Sequence, residues 1–178
     1  NLVRFGYGTD IIPGLAESWE INNNGLVYTF ILKDSIFFHD GDLLTSLNVK
    51  KSFEHILNPE INSRNSWIFR DVVGSDLFKK REKVSVSGFE IINDSKFRII
   101  LSKPFAPFLG FLAMPSASIV KILDNNIIGT GPWELKEWIR DGHLLFSANR
   151  QYFNGKVNLE KLKIRILPEA FPRVAEFI

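Results

Sequence analysis

Three histidines, twenty carboxylates and no cysteine are the groups from which this 178-residue chain could build chemistry. Without cysteine there can be no thiolate catalysis, no cysteine metal site and no disulfide. His39, His55 and His143 are scattered, with no HxxxH pair among them. His39 lies beside Asp40 and Asp42, which imitates a metal loop. A calcium loop needs regularly spaced oxygen ligands and a terminal bidentate Glu, so the segment reads instead as a polar turn with His39 satisfied by a neighbour. His55 falls beside an apolar helical stripe and reads as a structural or surface residue. No GxSxG elbow supplies a serine nucleophile. Gly129-Thr130-Gly131-Pro132 is too short for a dinucleotide fingerprint, and Pro132 lacks the amide N–H that a phosphate cradle needs. The reading is therefore a protein that is not an enzyme, with no catalytic residue, no metal and no cofactor.

Charge points the same way. The chain carries 22 basic and 20 acidic residues, and its densest basic run, Lys79-Lys80-Arg81 with Lys83, lies in a polar stretch expected to be solvated. A nucleic-acid footprint would interleave basic residues with exposed aromatics along one face; no such pattern occurs and no nucleic-acid partner is expected. No apolar run approaches the roughly 18 residues of a membrane helix, so no span is expected within the chain. No signal peptide stands at Asn1, so a targeting segment of an exported parent would lie outside this chain. The aromatic content is high, with 16 Phe, 4 Trp and 3 Tyr. Most must be core. Trp67, Phe105, Phe108 and Phe111 are the candidates to line a cleft.

The elements that would position these residues are mixed. Leu15–Ile21, the turn Asn22-Asn23-Asn24-Gly25 and the alternating run Leu26–Leu32 predict a hairpin. A helix over about 46–57 follows from Val49, Phe53, Ile56 and Leu57 at helical spacing, with Thr45 or Ser46 as cap and Pro59 as stop. Residues 60–83 read as short helices and loops. Strands are expected over Val84–Ile92, Lys96–Leu101, Trp133–Trp138, His143–Asn149 and Leu159–Leu167. A short helix is expected within Phe105–Met114, and another from Ala170. The fold class is α+β, with mainly antiparallel sheets and short helices. The best boundary falls near Ile128/Gly129, giving an α+β domain over 1–128 and an incomplete β-rich segment over 129–178. The apolar faces predict burial of Trp19, Tyr28, Phe30, Phe53, Ile99, Leu101, Ile164 and Ile166.

Two stretches resemble the family-5 bacterial extracellular solute-binding proteins of oligopeptide, dipeptide and nickel type. The first contains Pro13, Leu15-Ala16, Ser18-Trp19, Tyr28-Thr29-Phe30 and Phe38-His39-Asp40-Gly41 ahead of a capped helix. The second contains Gly129-Thr130-Gly131-Pro132-Trp133 and Asn149, with Tyr152-Phe153 where the family usually has tyrosine-tryptophan. The resemblance runs over essentially the whole chain and implies a fragment of a periplasmic-binding-protein type II lobe. Residues 1–128 resemble the smaller domain of the first lobe, and 129–178 a part of the ligand-binding core domain.

What the resemblance implies about function is capture of an oligopeptide or similar small solute outside the cytoplasmic membrane and delivery to the permease of an ABC importer. The location would be periplasmic or extracytoplasmic, with a lipid anchor conceivable in the full-length parent. The alternative is a solute-sensing or regulatory module of the same fold. Three residues carry over as ligand-binding candidates. Trp67 matches a pocket tryptophan of nickel-binding relatives. Ser116 stands where those relatives have an arginine, whose bidentate grip on a carboxylate serine cannot reproduce. Met114 stands where oligopeptide-binding relatives have a histidine and would make the pocket more apolar.

Overall fold

The computed structural model describes residues 1–22, 24–123 and 126–167. The helix expected from Ala170 lies outside them. The chain folds as two compact units, one formed by Asn1–Ile36 with Leu43–Ile128 and the other by Phe37–Asp42 with the residues from Gly129 onward.

The first unit opens with a hairpin of β1 (Val3–Phe5) and β2 (Ile11–Pro13). Next come β3 (Ala16–Ile21) and β4 (Val27–Leu32), paired antiparallel. Their turn is built as the sequence suggests: the Asn22 side-chain oxygen accepts from the amides of Leu26 and Val27 at 3.1 and 3.3 Å, and Gly25 takes φ +69°, a conformation that costs a residue without Cβ little. Along β4, Tyr28, Phe30 and Leu32 are buried while Val27, Thr29 and Ile31 are not, the period-2 pattern of a half-buried strand.

Helix α1 spans Ser46–Leu57. Thr45 is its N-cap, and the Asn48 carboxamide oxygen reaches back to the Thr45 amide at 2.8 Å, the reciprocal half of a capping box. Asn58 ends it in an extended conformation, as the residue before Pro59 is sterically driven to do. A 3₁₀ turn (Ser66–Phe69), α2 (Ser75–Lys79), β5 (Phe89–Asn93) and β6 (Lys96–Ile100) follow. β5 starts later than its apolar run suggests, because Val86 and Gly88 are taken up by the packing of 85–88 against α1 and Val73. Glu54 of α1 holds this segment, accepting from the Ser85 hydroxyl at 2.7 Å and the Val86 amide at 2.8 Å. The sheet order is β3-β4-β6-β5, antiparallel throughout. Its inner face and α1 enclose a phenylalanine core: Phe53 lies 4.5 Å from Phe69, 5.5 Å from Phe89 and 6.2 Å from Phe97, centroid to centroid.

The unit ends with α3 (Phe108–Ala113), a second 3₁₀ turn (Pro115–Ala117) and the small hairpin β7 (Lys121–Leu123) with β8 (Asn126–Ile128). Ser52 ties this end back to α1. It is 1% exposed, donates to the Val120 carbonyl at 2.6 Å and accepts the Val120 amide at 2.9 Å. Ser52→Ala therefore leaves both polar groups of Val120 without that partner. The expected loss is about 1–2 kcal/mol, read as a lower urea midpoint at unchanged m-value; no change would mean that water replaces the hydroxyl at no cost.

The second unit is an antiparallel sheet of order β11-β10-β9, from β9 (Trp133–Ile139), β10 (His143–Ala148) and β11 (Lys161–Arg165). The turn Phe37–Asp42 joins it through His39. The backbone amide of His39 donates to the Gly129 carbonyl, and its Nε2 meets the Gly131 carbonyl, each at 3.0 Å. Asn149 Nδ2 also donates to Gly131 at 3.0 Å.

Burial follows the expected faces in the first unit: Tyr28, Phe30, Phe53, Ile99 and Leu101 are all at or below 3% exposure. Three expectations need correction. Trp19 is half-buried, because it lies on β3 at the edge of the sheet. Ile164 is 45% exposed and Ile166 half-buried. The alternation in β11 is real, since Leu144 aligns with both Ile164 and Trp138. Among the described residues, however, that apolar face is left open, with Trp138 at 68% exposure.

Candidate functional site

Trp67 belongs to a 3₁₀ turn whose next two residues, Ile68 and Phe69, are buried. Phe69 is gripped by Phe53 and Phe89. Successive side chains in so tight a turn point in different directions, so the core that holds Phe69 directs Trp67 outward, where it is 40% exposed. Its ring meets that of Phe111 edge-on, with centroids 4.8 Å apart and planes at 82°. Phe111 in turn lies 5.1 Å from Phe105. The result is a partly exposed array of three rings, carried by the 3₁₀ turn, α3 and the loop before α3.

Phe108, the fourth cleft candidate, is not part of this array. It is 1% exposed and packs edge-on against Tyr28 at 5.1 Å. On α3 the buried residues are Phe108, Leu112 and Ala113, while Phe111, at the margin of that face, is only half-buried. Burial pushes the Tyr28 phenol pKa up, and its hydroxyl reaches the Phe105 carbonyl at 3.4 Å. Tyr28 thus supports the array from beneath.

Met114 caps the C-terminal end of α3, and its carbonyl accepts from the Asn1 side chain at 2.6 Å. Ser116 sits in the 3₁₀ turn that follows, half-exposed. Both therefore follow the helix that carries Phe111, the ring that Trp67 touches. The structure joins Trp67 to Phe111 directly and to Phe105 through Phe111, and brings Met114 and Ser116 near only through α3. Among the described residues, neither the Trp67 indole N–H nor the Ser116 hydroxyl has a protein hydrogen-bond partner. Sequence reasoning named all three rings of the array, yet nothing in it could separate them from Phe108.

Elsewhere, two of the three histidines are engaged structurally. His39 is held by the Gly129–Gly131 loop. His143 meets Glu137 at 3.1 Å across the β9-β10 pair. Among the described residues, no group of three His, Cys, Asp or Glu side chains could hold a metal ion, and no helix is long and apolar enough to cross a membrane.

The chain belongs to the bacterial extracellular solute-binding proteins, family 5, whose middle region matches residues 10–178. It is 33% identical to di/tripeptide-binding protein 4 of Pseudomonas aeruginosa over 93% of this chain and 34% of that protein. It is 32% identical to heme-binding protein A of Haemophilus influenzae over 99% of this chain and 36% of that protein. Among solved structures, NikZ from Campylobacter jejuni in complex with Ni(L-His) superposes with a TM-score of 0.83 at 30% identity, over 99% of this chain and 35% of that one. The substrate-binding domain of an oligopeptide ABC transporter from Bacillus anthracis superposes at 0.91 with 22% identity, over 99% of this chain and 37% of that one, which shows the shared fold. The chain spans about a third of the length of the curated relatives it matches. These relatives are binding proteins, so family membership points to binding rather than catalysis.

Proposed function

We propose that the chain is part of the substrate-capturing component of an ABC importer, taking up a di- or oligopeptide or a similar small solute outside the cytoplasmic membrane. The observation that carries this reading is Trp67: a large apolar ring left 40% exposed, with its indole N–H unpartnered, on a turn whose other apolar residues are buried. An exposed ring with a free donor offers both stacking area and an orienting hydrogen bond, the usual composition of a small-molecule site. Met114 and Ser116 follow the helix that carries Phe111, an apolar adaptable group and a neutral hydroxyl where a carboxylate-gripping arginine would give different selectivity. The names of the relatives, which bind dipeptides, tripeptides, heme and nickel, support capture over a sensing role. The family also supports an extracytoplasmic location and a permease as partner; a lipid anchor in the full-length parent belongs to the proposal alone. In this reading residues 1–128 form the smaller domain of the first lobe and 129–178 enter its ligand-binding core domain.

The test is calorimetry of the intact protein with Ala-Ala, tri-alanine and a nickel–histidine complex. Peptide binding is expected, and Trp67→Ala should weaken it by about tenfold or more, as truncation of a buried aromatic anchor does. Its unfolding midpoint should barely move, because the ring makes little of the core. An intact protein that binds neither peptide, or a Trp67→Ala variant that binds as tightly as the wild type, would contradict the assignment.

A further inference from the structure

Trp67 does not act alone. Of the phenylalanines in the first unit, Phe30, Phe53, Phe69, Phe89, Phe97 and Phe108 are essentially inaccessible to solvent. Phe105 and Phe111 are half-buried, as is Phe78, and Phe5 is 49% exposed; what sets Phe105 and Phe111 apart is ring contact, Phe111 with Trp67 and Phe105 with Phe111. The three rings adopt edge-on and tilted contacts, with interplanar angles of 82° and 57°. These geometries fix each ring against its neighbour. Next to the array the charges are already engaged: Asp71 holds Arg70 at 3.4 Å and Lys103 at 3.2 Å, and Lys79 reaches the Ser66 hydroxyl at 3.4 Å. The surface offered to a solute is thus an array of edge-on and tilted rings with one indole N–H that has no protein partner among the described residues, beside an Asp71 carboxylate already paired with two cations.

We propose that Phe111 and Phe105 are specificity-determining residues, and that together with Trp67 they select solutes bearing a flat apolar group, such as an aromatic side chain, beside a hydrogen-bond acceptor. Phe111 is the central member. It contacts both other rings and, from α3, sets the orientation of the indole edge. An aromatic group of the solute would extend the edge-to-face array, while the acceptor would take the indole N–H. A cationic side chain would find ring faces, and beside them a carboxylate already paired.

This inference rests on the solute-capture reading, and the experiment separates the two. The intact protein is titrated calorimetrically with Ala-Phe, Ala-Ala and Ala-Lys. Ala-Phe is expected to bind about tenfold more tightly than Ala-Ala, with Ala-Lys no better than Ala-Ala. Phe111→Ala should reduce Ala-Phe affinity by roughly three- to tenfold, the usual worth of an aromatic pair, and Ala-Ala affinity by clearly less, so that the preference between the two peptides falls. Phe105→Leu, a milder change further from Trp67, should reduce the same preference less. A purely structural role for Phe111 would weaken both peptides equally, and that result would overturn the inference. Equal binding of all three dipeptides by the wild type, or a preference for Ala-Lys, would overturn it while leaving solute capture intact. Binding of none would overturn both.

Discussion

Phe53→Ala is expected to lower the unfolding free energy of the first unit by about 3–5 kcal/mol, the usual cost of deleting a core phenylalanine. Phe53 is fully buried and, like Phe89, contacts the other three rings of the cluster. It joins α1 to β5, to β6 and to the 3₁₀ turn. The loss has two parts, the transfer free energy of the ring and the cavity left among three aromatic neighbours that α1 cannot collapse to fill. Against a typical domain stability of about 5–15 kcal/mol this is a large share. Urea unfolding followed by far-UV circular dichroism reads it as a lower midpoint. Phe53→Leu, which keeps most of the volume, should cost about 1–2 kcal/mol. Equal midpoints for Phe53→Ala and the wild type would show that the ring cluster contributes no net stability. The variant also bears on function, because Phe53 anchors Phe69, two residues from Trp67. Partial loosening of the turn should weaken solute binding before the unit unfolds.

Gly88→Ala should be nearly as damaging, at about 2–3 kcal/mol. A Cβ there would lie 2.8 Å from the Ile100 carbonyl oxygen, from the Val73 amide nitrogen and from a Val72 methyl. Two of these three atoms are backbone, so no rotamer change makes room. The same place carries a tight hydrogen-bond exchange: Gly88 donates to the Val73 carbonyl at 2.8 Å, Ile100 donates to the Gly88 carbonyl at 2.8 Å, and Val73 donates to the Ile100 carbonyl at 2.9 Å. A methyl group must spread these three segments and lengthen the bonds. Alanine restricts the unfolded chain and so favours folding by about 0.4–1 kcal/mol, which is too little to offset the clash. Thermal unfolding is the measurement, and an unchanged or raised Tm would show that the backbone relaxes at no cost.

Local patterns decided a good deal of this protein. The helix over 46–57 is written in the spacing of Val49, Phe53 and Leu57 and in Pro59, all within one element. The hairpin of β3 and β4 is written in Asn22 and Gly25. The strand faces of β4 and β6 follow from alternation, which needs nothing beyond the period of the backbone. The candidate rings Trp67, Phe105 and Phe111 were also visible as residues, and the family resemblance came from motifs that turned out to be scaffold, such as the His39 turn and the Gly129–Pro132 loop.

What the sequence could not show is what each face packs against. Phe108 and Phe111 are three residues apart on one helix and chemically identical. Only the position of Tyr28, 80 residues from Phe108, buries the first, and only Trp67 gives the second its edge-on partner. His39 reads as a turn residue, but its partner Gly131 is 92 residues away. Ile164 has the alternation of a core strand and stays exposed, because alternation records which face is apolar and not whether a second layer covers it. Gly88 carries no signal at all until Val73 and Ile100 close around it. Periodicity and turn chemistry act over a few residues and are legible in order along the chain. Ring contacts, buried hydroxyl bridges and close backbone approaches join segments tens of residues apart, and only the folded chain brings those segments together.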